Sequence, residues 1–179
     1  MATPQLQPEQ IAWLSQAVAK YIAGQRIQYA RRAVPLSAEQ RMSMAGFFTP
    51  EVLDTRVVTL QNERVQNPDF YPALVAMGFR NLPDQSTMGA ITFSDVVVSH
   101  VPFDNGLLFH ELVHVEQYRQ LGIERFSELY VKGFLTGGGY DGIPLEKQAY
   151  ALGTQYETNP QRLFSVHDIV RDSIRRLAL

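Results

Sequence analysis

Apolar residues recur at helical spacing near the start of the chain and predict a long first helix. Between residues 8 and 32 they fall on one face of a helix with 3.6 residues per turn, at Ile11, Leu14, Val18, Tyr21 and Ile22. Ser37 followed by Gln40 has the form of a capping box and predicts a second helix that ends near Phe47. The proline within residues 49–51 favours one further helical turn, since proline suits the first helical position.

Runs of β-branched residues predict a small sheet in the middle of the chain. Residues 55–60 read TRVVTL, and residues 90–93 and 96–100 read AITF and VVVSH. Ser94 and Asp95 separate the last two runs and are typical of a tight turn. We therefore expect an antiparallel hairpin immediately before the helical half of the chain.

The second half of the chain is predicted to be mainly helical. Asp104 can cap a central apolar helix that ends at Gly122, and a further helix fits residues 124–135. A glycine run follows as a flexible connection, after which Pro144 can open a helix to about residue 154. Residues 168–177 fit a last helix. The fold class is therefore α+β: a mostly helical single domain with a small antiparallel hairpin packed on the central helix.

Composition narrows the classes of function. The chain has 179 residues, of which 45% are hydrophobic, enough for one core. A net charge of −2 gives no general attraction to nucleic acid or to an anionic membrane. The first residues lack a signal-peptide pattern and no window has the length of a membrane span, so we expect a cytoplasmic protein, with leaderless export as the alternative. There is no cysteine, so any metal must have nitrogen and oxygen ligands.

The central helix contains the stretch FHELVHVEQ, residues 109–117. His110 and His114 are four residues apart, about 40° around a helix axis, so both imidazoles can bind one ion. Glu111 lies about 100° from His110, where its carboxylate can contact a water that the ion holds. Two ligands and one base within a single turn is the HExxH arrangement of zinc hydrolases.

The remaining faces of this helix are apolar, through Leu108, Phe109, Leu112, Val113 and Val115. A helix that is apolar on nearly all sides is predicted to be buried. Buried imidazoles beside a carboxylate are costly unless something compensates them, and a divalent cation would do so. In the alternative interpretation, the histidines are hydrogen-bonded core residues and Glu111 is a solvated surface charge.

A third metal ligand must come from elsewhere in the chain. A three-histidine HExxHxxGxxH site would need glycine and histidine where the chain has Gln117 and Gln120. Glu146 is the leading candidate, because the glycine run can return the chain and the small Ala149 lets its helix approach the first closely. The alternatives left open are His100, His167, Glu128 and Asp141.

With these residues the chain resembles the zincin metallopeptidases, specifically their glutamate-liganded branch. It is also similar to the small bacterial zincin-like core domain of extracellular contractile injection systems and toxins, in which a strand pair leads into a helix much like HELVHVEQY here. The resemblance covers residues 89–152, the predicted metal-site core. It implies bound zinc, Glu111 as the base and a sheet edge near the cleft. Residues 1–88 form an N-terminal region of unknown relationship, and residues 153–179 a C-terminal helix.

The expected function is a zinc-dependent, metallopeptidase-like hydrolase. His110, His114 and Glu146 would hold the metal, while Glu111 would assist attack of water on a peptide or amide bond of a peptide or protein substrate. Candidate donors to the oxyanion are Tyr140, Tyr150 and His167. The alternative from another class is a catalytically inactive, zinc-stabilised interaction module associated with a toxin or secretion assembly. Hydrolysis of a small non-peptide amide is a third reading.

Overall fold

A computed structural model describes residues 4–177 and has the predicted α+β fold. Within these residues the helices are α1 (Pro8–Ala30), α2 (Ala38–Met44), α3 (Pro50–Leu53), α4 (Tyr71–Ala76), α5 (Asn105–Gly137), α6 (Pro144–Thr158) and α7 (Val166–Leu177). The strands are β1 (Val34–Pro35), β2 (Arg56–Thr59), β3 (Ala90–Phe93) and β4 (Val96–Ser99). Short 3₁₀ turns cover Gln85–Thr87 and Tyr140–Gly142.

The sheet has the strand order β1-β2-β4-β3, with β3 at one edge. β3 and β4 form the predicted antiparallel hairpin, in which Thr92 is opposite Val97 and the turn places Ser94 at φ 63°. The sheet extends beyond this hairpin, because β2 pairs in parallel with β4 and the two-residue β1 pairs with β2. The hairpin thus leads directly into the helical half of the molecule.

α5 begins where the sequence predicts, because Asp104 Oδ1 accepts a hydrogen bond from the backbone N–H of Leu107 at 2.7 Å. Gly122 interrupts the helix at φ 73°, ψ 166°, so the predicted end of the first segment is confirmed. A second segment continues to Gly137 and includes the predicted helix. Although α5 spans 33 residues, no helix in the described part of the chain is long and apolar enough to cross a membrane.

Apolar side chains cover both faces of the sheet. On one face, Val57, Ala90 and Val97 pack against α2, α3, α6, α7 and the first segment of α5. On the other face, Phe93 and Val98 pack against α1 and the second segment of α5. The burial predicted for the central helix is confirmed, since Leu108, Phe109, Leu112, Val113 and Val115 are all 0% exposed.

α6 returns along α5 because the chain between them is closely packed. A Cβ at Gly133 would lie 2.6 Å from the Pro144 ring, and one at Gly137 would lie 2.5 Å from the backbone of Gly142. Glycine at both positions therefore lets the chain turn back tightly. α6 is longer than the predicted end near residue 154, because Tyr156 is buried and stacks on Phe109, with ring centroids 4.4 Å apart.

α2 is shorter than predicted and ends at Met44 instead of Phe47. The Phe47 N–H donates to the Met44 carbonyl at 3.0 Å, an i→i−3 bond that tightens the chain out of the α-helix. The capping box at Ser37 and Gln40 is present as predicted. Phe47 then packs edge-on against Phe109 at 5.5 Å, which joins this region to the central helix.

Candidate metal centre

The structure brings His110, His114 and Glu146 together in one small group. The two histidines project from the first segment of α5, with their Nε2 atoms 3.1 Å apart. Glu146 lies in the first turn of α6, and its Oε2 is 3.7 Å from His110 Nε2 and 3.3 Å from His114 Nε2. Within the described residues, this is the group of histidine and acidic side chains that could hold a metal ion.

The spacing of these three atoms fits a tetrahedral zinc ion. Zinc bonds to imidazole nitrogen and carboxylate oxygen are about 2.0–2.2 Å long, so neighbouring ligand atoms lie about 3.3 Å apart. The separations of 3.1, 3.3 and 3.7 Å scatter around that value. In addition, Oε2 of Glu146 is buried and no hydrogen-bond donor meets it with good geometry. A cation would compensate this oxygen.

The neighbouring charges shift the pKa values of His114 and Glu146 in opposite directions. Burial alone would lower the pKa of His114, but Glu146, with Glu111 and Gln117, raises it to about 9. Burial would raise the pKa of Glu146, but His114 and the neighbouring polar groups lower it well below its usual range. Without metal, the pair is therefore an imidazolium beside a carboxylate at neutral pH. Zinc must displace the imidazole proton in order to bind.

Gln117 orients His114. Its Oε1 lies 2.9 Å from His114 Nδ1, and its amide nitrogen donates to the Leu145 carbonyl and to Gln148 Oε1, both at 3.0 Å. Because this amide oxygen can only accept, the bond places a proton on Nδ1 and directs Nε2 toward Glu146. The sequence analysis used Gln117 only to exclude a three-histidine site. Its position three residues after His114, on the same helix face, was the signal for this role.

Glu111 is 4% exposed and lies against the edge strand of the sheet. Its Oε2 accepts a hydrogen bond from the Thr92 hydroxyl at 2.6 Å, which leaves the other oxygen available for a further contact. The alternative of Glu111 as a solvated surface charge is wrong, because strand β3 covers it. The sequence analysis missed Thr92. A hydroxyl on the helix-facing side of an otherwise apolar strand was the available signal.

His110 of the metal group lines a surface cleft of about 440 Å³, together with Glu111, Tyr140, Tyr150 and parts of β3, α5 and α6. The Tyr150 ring lies 4.6 Å from the His110 ring and is 56% exposed. Tyr140 is half-buried, and burial together with the Glu146 carboxylate raises its pKa, so the phenol keeps its proton. Both tyrosines named from the sequence therefore lie at the cleft.

The other candidates from the sequence lie elsewhere. Both ring nitrogens of His100 contact backbone, Nδ1 near the Met88 carbonyl and Nε2 accepting from the Val65 N–H. Glu128 pairs with a lysine and an arginine on the surface, and Asp141 is exposed. None of these joins the metal group within residues 4–177. They were wrong as ligand candidates, because their contacts or positions keep them away from the two histidines.

His167, named both as a ligand and as an oxyanion donor, contacts a different face of α5. Its Nδ1 lies 2.8 Å from Oε1 of Glu116, and its backbone carbonyl accepts a bond from Gln120. Glu116 is two residues beyond His114, about 200° around the helix. Both suggestions for His167 were therefore wrong, because α7 packs on the side of α5 that faces away from the cleft.

No family model matches this chain, and neither the curated proteins nor the solved structures contain a match to it.

Proposed function

We propose that the protein is a zinc-dependent, metallopeptidase-like hydrolase that cleaves a peptide or amide bond. The observation that carries this proposal is the spacing of three nitrogen and oxygen atoms, which suits tetrahedral zinc, beside the buried Glu111 carboxylate and a cleft that His110 and Glu111 line. The HExxH arrangement of these residues supports the same chemistry. The compartment we propose is the cytoplasm, with leaderless export as the alternative.

His110, His114 and Glu146 would hold the ion. Bound zinc supplies a Lewis acid, which polarises a carbonyl and lowers the pKa of water to about 7. Glu111 takes the proton of the attacking water and later delivers it to the leaving amine. The Thr92 hydroxyl holds one oxygen of the Glu111 carboxylate, so the other oxygen carries the proton transfer.

Tyr140 is the donor we assign to the oxyanion. It lines the cleft with Glu111, and its hydroxyl stays protonated, so it can donate a hydrogen bond to the developing charge. Tyr150 lies farther into solvent, with its ring tilted against the His110 ring, which suits it to contacting the substrate.

The edge of the sheet suits an extended peptide substrate. The His100 N–H donates to the Gly89 carbonyl at 2.8 Å, and paired and unpaired peptide groups alternate along an antiparallel strand. The backbone groups of Ala90 and Thr92 therefore face away from β4, at the free edge of β3. Gly89 and Ala90 also line the cleft, so a peptide added along this edge would pass the metal group.

The alternative function is an inactive, zinc-stabilised interaction module associated with a toxin or secretion assembly. A structural zinc ion uses four protein ligands, whereas a catalytic one keeps a position open. The described residues supply three ligand side chains and place a cleft beside them, which favours the hydrolase.

Substitution of Glu111 tests the proposal. Glu111→Gln should retain zinc and the wild-type melting temperature, because glutamine can still accept the Thr92 bond. It should abolish peptide hydrolysis, because an amide cannot take a proton from water, and general base catalysis contributes on the order of 10²–10⁴-fold. Cleavage of a diverse peptide library, followed by mass spectrometry, measures the effect.

Glu128→Gln is the matched control, since it changes a surface carboxylate on the same helix and should cleave like the wild type. Equal cleavage by Glu111→Gln would contradict the assigned base. A zinc-loaded wild type that cleaves no member of the library would favour the interaction module instead.

A further inference from the structure

A second pocket adjoins the surface cleft and shares His110, Glu111 and Tyr140 with it. This pocket, here called the aromatic pocket, has a volume of about 110 Å³. It is lined by Tyr21, Ile91, Phe93, Tyr118, Phe126 and Tyr130, with further apolar side chains of α1. Its polar end consists of the metal-group residues His110, His114 and Glu146 together with Glu111. The proposed reaction centre is therefore continuous with a mainly apolar pocket.

The break at Gly122 builds one wall of the aromatic pocket. Residues 118 and 126 would lie about 12 Å apart along a straight helix. Instead the rings of Tyr118 and Phe126 stack with centroids 3.8 Å apart, and Phe126 in turn stacks on Tyr130 at 5.9 Å. The second segment of α5 thus folds back, and Phe126 comes within 6.3 Å of the His114 ring.

α1 builds the opposite wall. The Tyr21 ring packs edge-on against Phe93 at 6.0 Å, and its hydroxyl donates to the Gln66 carbonyl at 2.7 Å, which fixes the ring in place. Val18, about one turn before Tyr21, and Ile22, the next residue, line the same space. A helix from the N-terminal region, for which the sequence indicated no role, therefore borders the proposed reaction centre.

The size and chemistry of the aromatic pocket select its occupant. An apolar cavity of about 150 Å³ in a protein core binds benzene, so a space of this order accepts one side chain and not a folded segment. Away from the metal group and Glu111, none of the described lining residues is charged, so an acidic side chain would have no partner there. A phenyl or branched aliphatic group would contact aromatic faces on several sides.

We propose that the aromatic pocket binds one large apolar side chain of the substrate, and that α1 is part of the substrate-binding site. Peptide bonds next to a residue such as phenylalanine or leucine are then preferred over bonds next to alanine or aspartate. This inference rests on the proposed hydrolase function. The pocket itself can be tested without catalysis.

Binding of two metal-chelating probes provides the main test. Acetohydroxamate and 3-phenylpropionohydroxamate share the chelating group and differ in the phenyl side chain. We expect the phenyl compound to bind the zinc-loaded wild type at least about 10-fold more tightly, measured by calorimetry. Val18→Phe, which fills the pocket, should remove this preference. Ile27→Phe, on the exposed surface of the same helix, should preserve it.

Toluene binding to the metal-free protein provides a second test that needs no zinc. Intermolecular NOEs should show toluene in contact with the ring protons of Tyr118 and Phe126, and Val18→Phe should abolish the contact. Circular dichroism of each variant checks that it is folded. If Val18→Phe does not fold, the comparison of the two hydroxamates on the wild type still decides.

The outcomes separate the two claims. Equal affinity for both hydroxamates, or no toluene contact at the two rings, overturns the assignment of the aromatic pocket and leaves the hydrolase proposal standing. Peptide cleavage without preference for a large apolar residue overturns it as well. Absence of cleavage, with toluene bound and the phenyl compound preferred, overturns the hydrolase proposal and leaves the pocket as a site for an apolar side chain.

Discussion

The contacts of the Glu146 side chain give the strongest indication of a metal site. Its side chain is buried, yet Oε2 has no aligned donor and faces two imidazole nitrogens at 3.3 and 3.7 Å. A buried carboxylate oxygen without a partner is costly. A divalent cation shared with His110 and His114 would compensate it, since all three atoms are ligands that zinc accepts.

Glu146→Ala should lower the affinity for zinc by on the order of 100-fold or more, because it removes a ligand, and even residues behind a ligand contribute 10–100-fold. Titration against a competing chelator measures the affinity. Glu128→Ala and Asp141→Ala are the controls and should leave it unchanged, since neither residue belongs to the metal group. An equal loss of affinity in either control would remove Glu146 from the proposed ligand set.

The two histidines could be placed from the sequence because four residues on one helix define a local geometry. The position of Glu146 was harder to predict, because it reaches the histidines only if α6 returns along α5. The small Ala149 and the glycine run were the only signals of this return. Thr92 was missed, because its hydroxyl on an apolar strand was only a weak signal and its bond to Glu111 joins that strand to a helix 19 residues later. Contacts of this kind depend on how the elements pack.

At the scale of the elements, Gly122 decides the shape of the site. Its φ of 73° lies in the left-handed region, which favours glycine over residues with a side chain. The break lets Phe126 stack on Tyr118 and so closes the wall beside His114. Both the metal-bearing segment and the folded-back segment of α5 therefore depend on this one position.

Gly122→Ala should lower the free energy of unfolding by about 1–3 kcal/mol, because φ 73° with ψ 166° is a conformation that residues with a Cβ rarely adopt. Urea denaturation measures the change. Gly24→Ala is the matched control, since Gly24 lies in α1 with nothing within 4 Å of the added Cβ. That variant should gain about 0.5–1 kcal/mol. A Gly122→Ala protein as stable as Gly24→Ala would show that the break does not require glycine.

Helices with local signals were predicted well from the sequence. Asp104 at the start of α5, Gly122 at its break and the capping box at Ser37 all have the expected roles. The parallel pairing of β2 with β4 was not predicted, because it joins segments about 40 residues apart and has no turn to mark it. β1 was missed for the same reason, since its two residues gain their conformation only by pairing with β2.

At the scale of the whole molecule, the helix that bears His110 and His114 packs into two apolar clusters on opposite faces of the sheet. α5 contributes to both, so binding at its centre is coupled to the stability of the entire core. In the metal-free protein, His114 and Glu146 form an ion pair, with Nε2 and Oε2 3.3 Å apart. The stability of the metal-free protein should therefore depend on pH.

The melting temperature of the metal-free protein should fall as the pH rises from about 6.5 to 9. The folded state raises the pKa of His114 from 6.5 to about 9, so the imidazolium stabilises the fold fully below pH 6.5, and this stabilisation is lost through pH 9. Thermal melts across this range measure it. The zinc-loaded protein should melt higher and show no such fall, because zinc has replaced the proton. A metal-free melting temperature that stays constant between pH 6.5 and 9 would contradict the buried ion pair.

The central claim, a metal ion held by α5 and α6, is tested most directly by elemental analysis of the purified protein. The account predicts one zinc ion per chain in the wild type and almost none in a His110→Ala/His114→Ala variant, with circular dichroism to check that the variant is folded. Wild-type protein without zinc after incubation with the metal, or unchanged zinc in the double variant, would contradict it.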